Sequence, residues 1–209
     1  MGDTLQVVNI TGTAQTLTFD APGDNGDGFT VSDGTYTADV DNIEKVEISL
    51  SDAGGTVVVS GDFANSGVNV STIHVEGGAG ADTVNAAAMT SSEAASNVGI
   101  AFNGNGGDDA FISGVGNDTF DGGADTDTAE YGAALTSVDI ALDGTTGWTV
   151  TTGSAEGTDT LSNVEIVDGA GTGRFLLVGN GGFETIQAAL DAAVRAIPSL
   201  SRRVPTTRT

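Results

Sequence analysis

A nine-residue repeat is the feature that most restricts what this chain can fold into. Three copies run end to end from position 104, as GNGGDDAFI, SGVGNDTFD and GGADTDTAE, and a fourth copy, GGAGADTVN, stands apart at 77–85. Each copy has glycine in its first half, aspartate at its sixth position and a small or apolar residue at its eighth. Glycine adopts the backbone conformations of tight turns without steric cost. The pattern therefore predicts glycine-rich turns that alternate with very short strands, each with one large side chain pointing inward.

The repeat resembles the template G-G-x-G-x-D-x-U-x of the RTX (haemolysin-type) calcium-binding proteins, where U is a large apolar residue. The copy at 77–85 matches the template at every specified position. The other copies depart from it with Asn105 at the second position, Ser113 at the first, Asp125 at the fourth and Ala129 at the eighth. The resemblance implies an all-β fold, a parallel β-roll or β-solenoid with calcium-binding turns, and Ca²⁺ as the bound ion.

The resemblance also implies which residues would hold the ion. Ca²⁺ takes six to eight oxygen ligands, so one turn is not enough and two stacked turns would share an ion. The candidate metal ligands are Gly78, Gly80, Asp82, Asn105, Gly107, Asp109, Gly114, Gly116, Asp118, Gly123, Asp125 and Asp127.

The spacing of the copies predicts which turns stack. Two copies would make one coil, so turns on the same side of the structure should recur every second copy. The turns at 104–109 and 122–127 then lie together, with Asp109 and Asp127 beside one calcium, and Asp118 lies on the opposite side.

The segment 86–103 between the isolated copy and the run has two interpretations. Because AAAMTSSEAASN contains neither glycine nor aspartate, we favour a strand, one enlarged turn and a second strand. This interpretation places the turn at 77–82 above 104–109, and Asp82 beside Asp109 at a second calcium. Two degenerate nine-residue copies would instead put Asp82 on the opposite side.

Composition favours cations as partners and excludes other classes. The chain has 29 acidic and 6 basic residues, a net charge of −23, so nucleic acid would be repelled. It has no cysteine for disulfides or thiolate metal sites, and no stretch approaches the roughly 20 apolar residues of a membrane span. The start, MGDTLQVVN, lacks the features of a cleavable signal peptide. We therefore expect a cytoplasmic protein, an excised fragment, or export by a route that reads no N-terminal signal.

The sequence patterns divide the chain into five regions. Residues 1–76 are rich in short apolar runs typical of strands, 77–130 carry the repeat, and 131–181 return to strand-like runs. Residues 182–197 predict a helix that caps the open end of the β-structure. Its apolar stripe consists of Phe183, Ile186, Leu190, Val194 and Ile197. The basic tail at 198–209 predicts either disorder or translation from a shifted reading frame.

The leading functional hypothesis is a calcium-binding, non-enzymatic structural module of an exported bacterial protein. Members of the family it resembles are commonly secreted by a type I route, which implies an extracellular or cell-surface location and neighbouring domains or extracellular polysaccharide as partners. One alternative is an accessory part of a carbohydrate-active epimerase or lyase, since GGFETIQAALDAA resembles the entry helix of right-handed β-helix proteins of that kind. A surface-layer or adhesin component is the other. Lys45 and Arg174 are the only basic residues before the last helix, and His74 is the single histidine. Catalysis on uronates is therefore disfavoured.

Overall fold

The computed structural model describes residues 3–8, 15–21, 28–41, 43–63, 71–90, 98–144, 147–153, 156–171 and 173–195. These residues form two β-sheets and one short helix, so the all-β prediction is confirmed. The first sheet contains, in spatial order, β1 (Thr4–Val8), β5 (Lys45–Ser49), β7 (Thr72–Glu76), β9 (Gly99–Asn103), β11 (Thr119–Asp121), β15 (Thr158–Ser162), β14 (Gly147–Thr151) and β13 (Ile140–Asp143). The second contains β17 (Gly173–Leu176), β16 (Ile166–Gly169), β12 (Thr128–Tyr131), β10 (Ala110–Ile112), β8 (Asp82–Met89), β6 (Gly55–Gly61), β2 (Thr16–Ala21), β3 (Phe29–Ser32) and β4 (Thr37–Val40).

Successive strands from β5 to β12 alternate between the two sheets, and each strand from β5 to β10 pairs in parallel with the strand that follows two places later. Antiparallel pairs occur outside this segment, at β2–β3–β4, β13–β14–β15 and β16–β17. Both sheets are therefore mixed, with the parallel pairs that the sequence predicted in the middle and antiparallel pairs outside it. Antiparallel neighbours need only a short connection, so a chain that turns back directly forms a hairpin instead of crossing to the other sheet.

The two sheets enclose a core built from inward-pointing side chains. The residue at the eighth repeat position is fully buried in all four copies, as Val84, Phe111, Phe120 and Ala129, which confirms the predicted inward direction. The rings of Phe102 and Phe120 stack with centroids 5.0 Å apart. One cluster of buried side chains runs from the first described strands to the last, so the three strand-rich regions of the sequence share a single core.

The segment after the isolated repeat follows the strand–turn–strand interpretation. Strand β8 pairs in parallel with β10, with Val84 opposite Phe111, and the intervening strand β9 belongs to the other sheet. The turn at 77–82 therefore lies next to the turn at 104–109, and two strict nine-residue copies are excluded. The enlarged turn itself lies largely outside the described residues, at 91–97.

Helix α1 (Ile186–Arg195) begins after Thr185, whose Oγ1 accepts a hydrogen bond from the backbone N–H of Ala188 at 3.1 Å. The predicted apolar stripe faces the core only in part: Phe183, which precedes the helix, is buried, whereas Ile186 is 70% exposed and Leu190 53%. Small alanines face it instead, with Ala189 buried in a second, smaller cluster. An alanine face lets the helix backbone approach the strands closely, so the face that packs is set by shape rather than by hydrophobicity alone.

Other expectations for this end of the chain are not addressed by the described residues. The side chain of Val194, together with Ile197 and the tail at 198–209, lies outside them. No helix in the described ranges combines the length and apolar character that crossing a membrane requires.

Candidate metal centre

Four turns lie one above another along one side of the two sheets, and we call this arrangement the long turn stack. It consists of residues 50–55, 77–82, 104–109 and 122–127. Its turns are joined at their first residues, where the N–H of each donates to a carbonyl one coil further on: Leu50 to Glu76 at 2.8 Å, Gly77 to Asn103 at 2.7 Å and Gly104 to Asp121 at 2.7 Å. The parallel strands that leave the turns hold them in register.

A ladder of carboxylates runs through the long turn stack. The backbone N–H of Asp82 donates to Asp109 Oδ1 at 2.7 Å, and that of Asp109 donates to Asp127 Oδ1 at 2.8 Å. The ladder ends with the N–H of Asp127, which donates to Glu165 Oε2 at 2.9 Å. The sixth repeat position therefore has two structural roles, because its carboxylate binds the amide of one neighbouring turn while its own amide binds the next carboxylate.

The remaining oxygens of these carboxylates are the most unusual feature of the site. Asp82, Asp109 and Asp127 are all buried, at 1%, 2% and 0% exposure. Among the described residues, Asp82 Oδ1, Asp109 Oδ2 and Asp127 Oδ2 have no hydrogen-bond partner. A buried carboxylate oxygen without a partner costs free energy unless a proton or a cation compensates it. The turns therefore contain carboxylate oxygen atoms that are already shielded from solvent.

The electrostatics of the ladder favour added positive charge. Burial raises the pKa of Asp109 to about 7, and repulsion from Asp82 and two further acidic groups adds to the effect. Burial likewise raises the pKa of Asp127 to about 8, with repulsion from Asp109 and Glu165. The pKa values of Asp82 and Glu165 are also raised, again chiefly by burial. Near neutral pH, proton binding and cation binding therefore compete at these carboxylates.

The two residues that depart from the glycine template keep the backbone geometry of a turn. Asn105 has φ of 68° and Asp125 has φ of 80°, in the left-handed region that asparagine and aspartate tolerate best after glycine. Both side chains are exposed and tie neighbouring turns together. Asn105 Nδ2 donates to Gly77 O at 3.0 Å, and Asp125 Oδ2 accepts from the N–H of Gly107 at 3.3 Å. The observed contacts of these two side chains are thus between turns.

The first repeat position needs glycine for a steric reason. A Cβ on Gly104 would overlap the Oδ2 atom of Asp109 within the same turn and would lie 2.5 Å from the carbonyl oxygen of Gly122. The same overlap with the carboxylate of its own turn occurs at Gly122, towards Asp127. Glycine at this position therefore creates the space in which the partnerless carboxylate oxygen lies. The other predicted glycines of this stack, Gly78, Gly80, Gly107 and Gly123, also lie within its turns.

The opposite side of the sheets holds a second pair of turns, which we call the short turn stack, formed by residues 113–118 and 156–159. Asp118 lies here with Gly114 and Gly116, as the alternation of copies predicts, but it is not alone. Its N–H donates to Asp159 Oδ1 at 2.8 Å, and its Oδ1 accepts from the N–H of Ile100 at 2.7 Å. Asp118 Oδ2 is buried and has no partner in the described part of the chain.

The short turn stack is enclosed by polar side chains. Ser113 Oγ donates to Asp159 Oδ2 at 3.0 Å, and the buried Tyr131 lies against the same carboxylate. Burial and repulsion from Asp159 raise the pKa of Asp118 to about 7, and burial raises that of Asp159 to about 6. Two carboxylates therefore share one buried space, where a single positive charge would relieve both.

No family model, curated protein or solved structure matches this chain. Across the described ranges, no three histidine, cysteine, aspartate or glutamate side chains are placed to hold a metal ion together. A cation in either turn stack would therefore need backbone carbonyl oxygens or water in addition to the carboxylates.

Two acidic residues of the site were not predicted from the sequence. Asp159 lies 41 residues after Asp118, which is not a multiple of nine, so the repeat period does not reach it. A local signal does exist, because Gly157, Asp159 and Leu161 occupy the fourth, sixth and eighth positions of a degenerate copy. Glu165 follows no such pattern, and only the pairing of β12 with β16 places it below Asp127.

Proposed function

We propose that the chain is a β-roll that binds calcium in its two turn stacks and is stabilised by doing so. The observation that carries the proposal is the set of buried aspartates with one oxygen bound to a backbone amide and the other without a partner, as in Asp109, Asp127 and Asp118. The amide fixes the direction of the carboxylate, so the second oxygen is oriented before any ion arrives. Such preorganisation lowers the cost of binding.

The residues fit a hard, oxygen-seeking cation. Asp82 and Asp109 lie on either side of one gap in the long turn stack, and Asp109 and Asp127 on either side of the next. Asp118 and Asp159 form the corresponding pair in the short turn stack. Carboxylate and carbonyl oxygens are the ligands that Ca²⁺ uses, and its flexible geometry tolerates turns of slightly different sequence. A bound Ca²⁺ would supply the positive charge that offsets the repulsion and the burial of these carboxylates.

In this role the chain is a structural module rather than an enzyme. The carboxylates that stand out electrostatically serve to hold adjacent coils together, and their ionisation without a cation opposes folding. A protein of this kind would gain stability on entering a calcium-rich exterior. We therefore propose export to the extracellular space or cell surface, where the folded module would support neighbouring domains or contact extracellular polysaccharide.

Calcium titration of the full chain by calorimetry, with melting followed by circular dichroism, tests the proposal. We expect saturable binding and a melting temperature that rises with calcium and falls on chelation, while magnesium at equal concentration has a smaller effect. Calcium at 100 times its dissociation constant would add about 2.7 kcal/mol to the free energy of unfolding for one site. Spectra and melting temperatures that do not change with chelator, together with no heat of binding, would refute the proposal.

A further inference from the structure

The turn between strand β17 and helix α1 contains an asparagine–glycine pair, Asn180–Gly181. Asn180 has φ of 47° and Gly181 has φ of 87°, and the N–H of Gly182 donates to the carbonyl of Gly179 at 2.9 Å. Positive φ at both central residues, with a hydrogen bond that joins the first and fourth residues, is typical of a type I′ turn, where Asn-Gly is the favoured sequence. The closing bond therefore does not involve the amide nitrogen of Gly181.

The two groups that could react with each other in this turn are both without a hydrogen-bond acceptor. Neither the NH₂ group of Asn180 nor the backbone N–H of Gly181 donates a hydrogen bond to any residue in the described part of the chain. Gly181 is exposed and Asn180 is half-buried. Water therefore reaches the peptide bond between them, and no donated bond has to break before the two groups move.

Two other asparagine–glycine pairs lie where strand β9 enters the long turn stack, and hydrogen bonds restrain both of them. The N–H groups of Gly104 and Gly106 donate to backbone carbonyls at 2.7 and 3.0 Å. The NH₂ groups of Asn103 and Asn105 also donate, each at 3.0 Å. The remaining pair, at 25–26, lies outside the described residues. Among the described pairs, the turn before the helix thus stands apart.

An unrestrained pair of this kind can react with itself. The amide nitrogen of the glycine loses its proton and attacks the side-chain carbonyl carbon of the asparagine. The side-chain NH₂ group takes up a proton and leaves as ammonia, and a cyclic succinimide remains. Water then opens the succinimide at either of its carbonyl groups, which produces aspartate or isoaspartate. Glycine favours the attack because it has no side chain beside the nitrogen.

We propose that Asn180 is a site of spontaneous deamidation in the folded protein, and that the reaction loosens helix α1. The inference does not depend on calcium binding. It follows from the turn geometry and from the contrast with Asn103 and Asn105, whose local sequence is equally reactive.

The consequence for the helix follows from what the turn holds in place. Phe183, directly after the turn, is buried against Ile166 and Ala189. Its N–H donates to Leu177 O at 2.9 Å, and its carbonyl accepts from the N–H of Gly179 at 2.9 Å. An isoaspartate at position 180 routes the backbone through the side-chain methylene, so the turn becomes longer and these bonds lose their register. Phe183 is then less firmly placed, and the helix that follows it is less firmly attached.

The test follows the three described pairs in the full-length chain during incubation at pH 8, in the folded state and in urea. Peptide mass spectrometry that separates aspartate from isoaspartate measures conversion at each asparagine. In the folded state we expect Asn180 to convert at least about tenfold faster than Asn103 and Asn105, a factor that corresponds to the net free energy of one backbone hydrogen bond. In urea the three rates should become similar. At pH 6 all of them should fall, because the attacking nitrogen must lose its proton.

Hydrogen exchange of a peptide covering 183–195 measures the effect on the helix. Exchange should be faster in incubated than in fresh wild type. Asn180→Gly is the control, since glycine tolerates the positive φ and has no side-chain amide. Incubation should leave its exchange unchanged.

Each part of the inference has a result that overturns it. A folded-state rate at Asn180 no higher than the rates at Asn103 and Asn105 overturns the modification site. A difference that persists in urea overturns the role of the turn, because it would then belong to the local sequence. Isoaspartate at position 180 with unchanged exchange over 183–195 overturns the link to the helix, and so does equal acceleration in Asn180→Gly.

Discussion

Replacing Asp109 by asparagine should change stability in opposite directions with and without calcium. The substitution keeps an oxygen that can accept the hydrogen bond from the N–H of Asp82, and it removes the charge of a residue that is 2% exposed. In the wild type the pKa of Asp109 is raised from 3.8 to about 7. At about 1.4 kcal/mol per pH unit, that difference corresponds to roughly 4 kcal/mol lost when the carboxyl ionises in the folded state.

The sign of the pH dependence follows from where the protons bind. Because the folded-state pKa values of Asp159, Asp109, Asp118 and Asp127 are raised to between about 6 and about 8, the folded chain holds more protons than the unfolded chain above pH 4. Without calcium, the free energy of unfolding should therefore be greatest at low pH and fall as the pH rises towards 8. The carboxyls titrate as a coupled set, so only one of them is counted in the magnitude.

The expected size of the effect includes the cost of the new amide. At pH 8 in chelator, Asp109→Asn removes the penalty of roughly 4 kcal/mol for ionising a buried carboxyl group. The new amide NH₂ group is buried without a hydrogen-bond acceptor, which costs about 1–3 kcal/mol. The variant should then be about 1–3 kcal/mol more stable than the wild type. At pH 5, where the wild-type carboxyl is protonated, the gain should disappear. With saturating calcium at pH 8 the order should reverse, because the variant has lost a ligand.

Urea denaturation followed by circular dichroism at pH 5 and pH 8, each with chelator and with calcium, measures all four conditions. Asp39→Asn, which removes one exposed charge far from the turns, should follow the wild type throughout. If Asp109→Asn were less stable than the wild type at pH 8 in chelator, the buried carboxylate would not be the destabilising group we describe. Equal calcium stabilisation of the two proteins would exclude Asp109 as a ligand.

Three further predictions concern other parts of the structure. Gly104→Ala should destabilise the chain by about 3 kcal/mol or more in denaturation experiments, since its methyl group overlaps a carboxylate and a carbonyl, whereas Gly34→Ala, in open space at φ of 85°, should cost only about 1–2 kcal/mol. Asp159→Asn should lower the calcium count by one in equilibrium dialysis while hydrogen-exchange protection of 104–127 is retained; an unchanged count would remove the short turn stack from the sites. Ile186→Ser and Leu190→Ser should each change the unfolding free energy by less than about 0.5 kcal/mol, because both side chains are exposed, and a loss of 2 kcal/mol or more would show that they are covered in solution.

Several elements could be predicted from local sequence because local physics sets them. The alternation of glycine-rich turns and short strands follows from backbone freedom at one position and burial at another, and Val84, Phe111 and Phe120 lie where that pattern places them. The strand–turn–strand interpretation of 86–103 succeeded for a similar reason, since its stretch 86–97 has neither glycine nor aspartate and cannot repeat the turn chemistry. The stacking of Asp82 on Asp109 then follows from strand register.

Other elements depend on contacts between distant residues. Neither strand β15 nor the role of Asp159 was predicted. The reason is that the separation between Asp118 and Asp159 does not follow the nine-residue repeat. The helix shows a comparable failure. Its apolar spacing identifies a helix but not the face that packs, because Ala189 is buried while Ile186 and Leu190 are exposed.

The all-β character, the turn chemistry and the sides on which Asp109, Asp118 and Asp127 lie could be read from the sequence alone, since these depend on backbone conformation and on the two-fold alternation of strands. Which carboxylates share a gap was set by the stacking of the coils, because it depends on register between strands as far apart as β11 and β15. The stacking of the coils also decided that a turn without the repeat, at 50–55, takes its place in the same stack. Charge repulsion and burial act between neighbours in space, and those neighbours are fixed only when the coils are stacked.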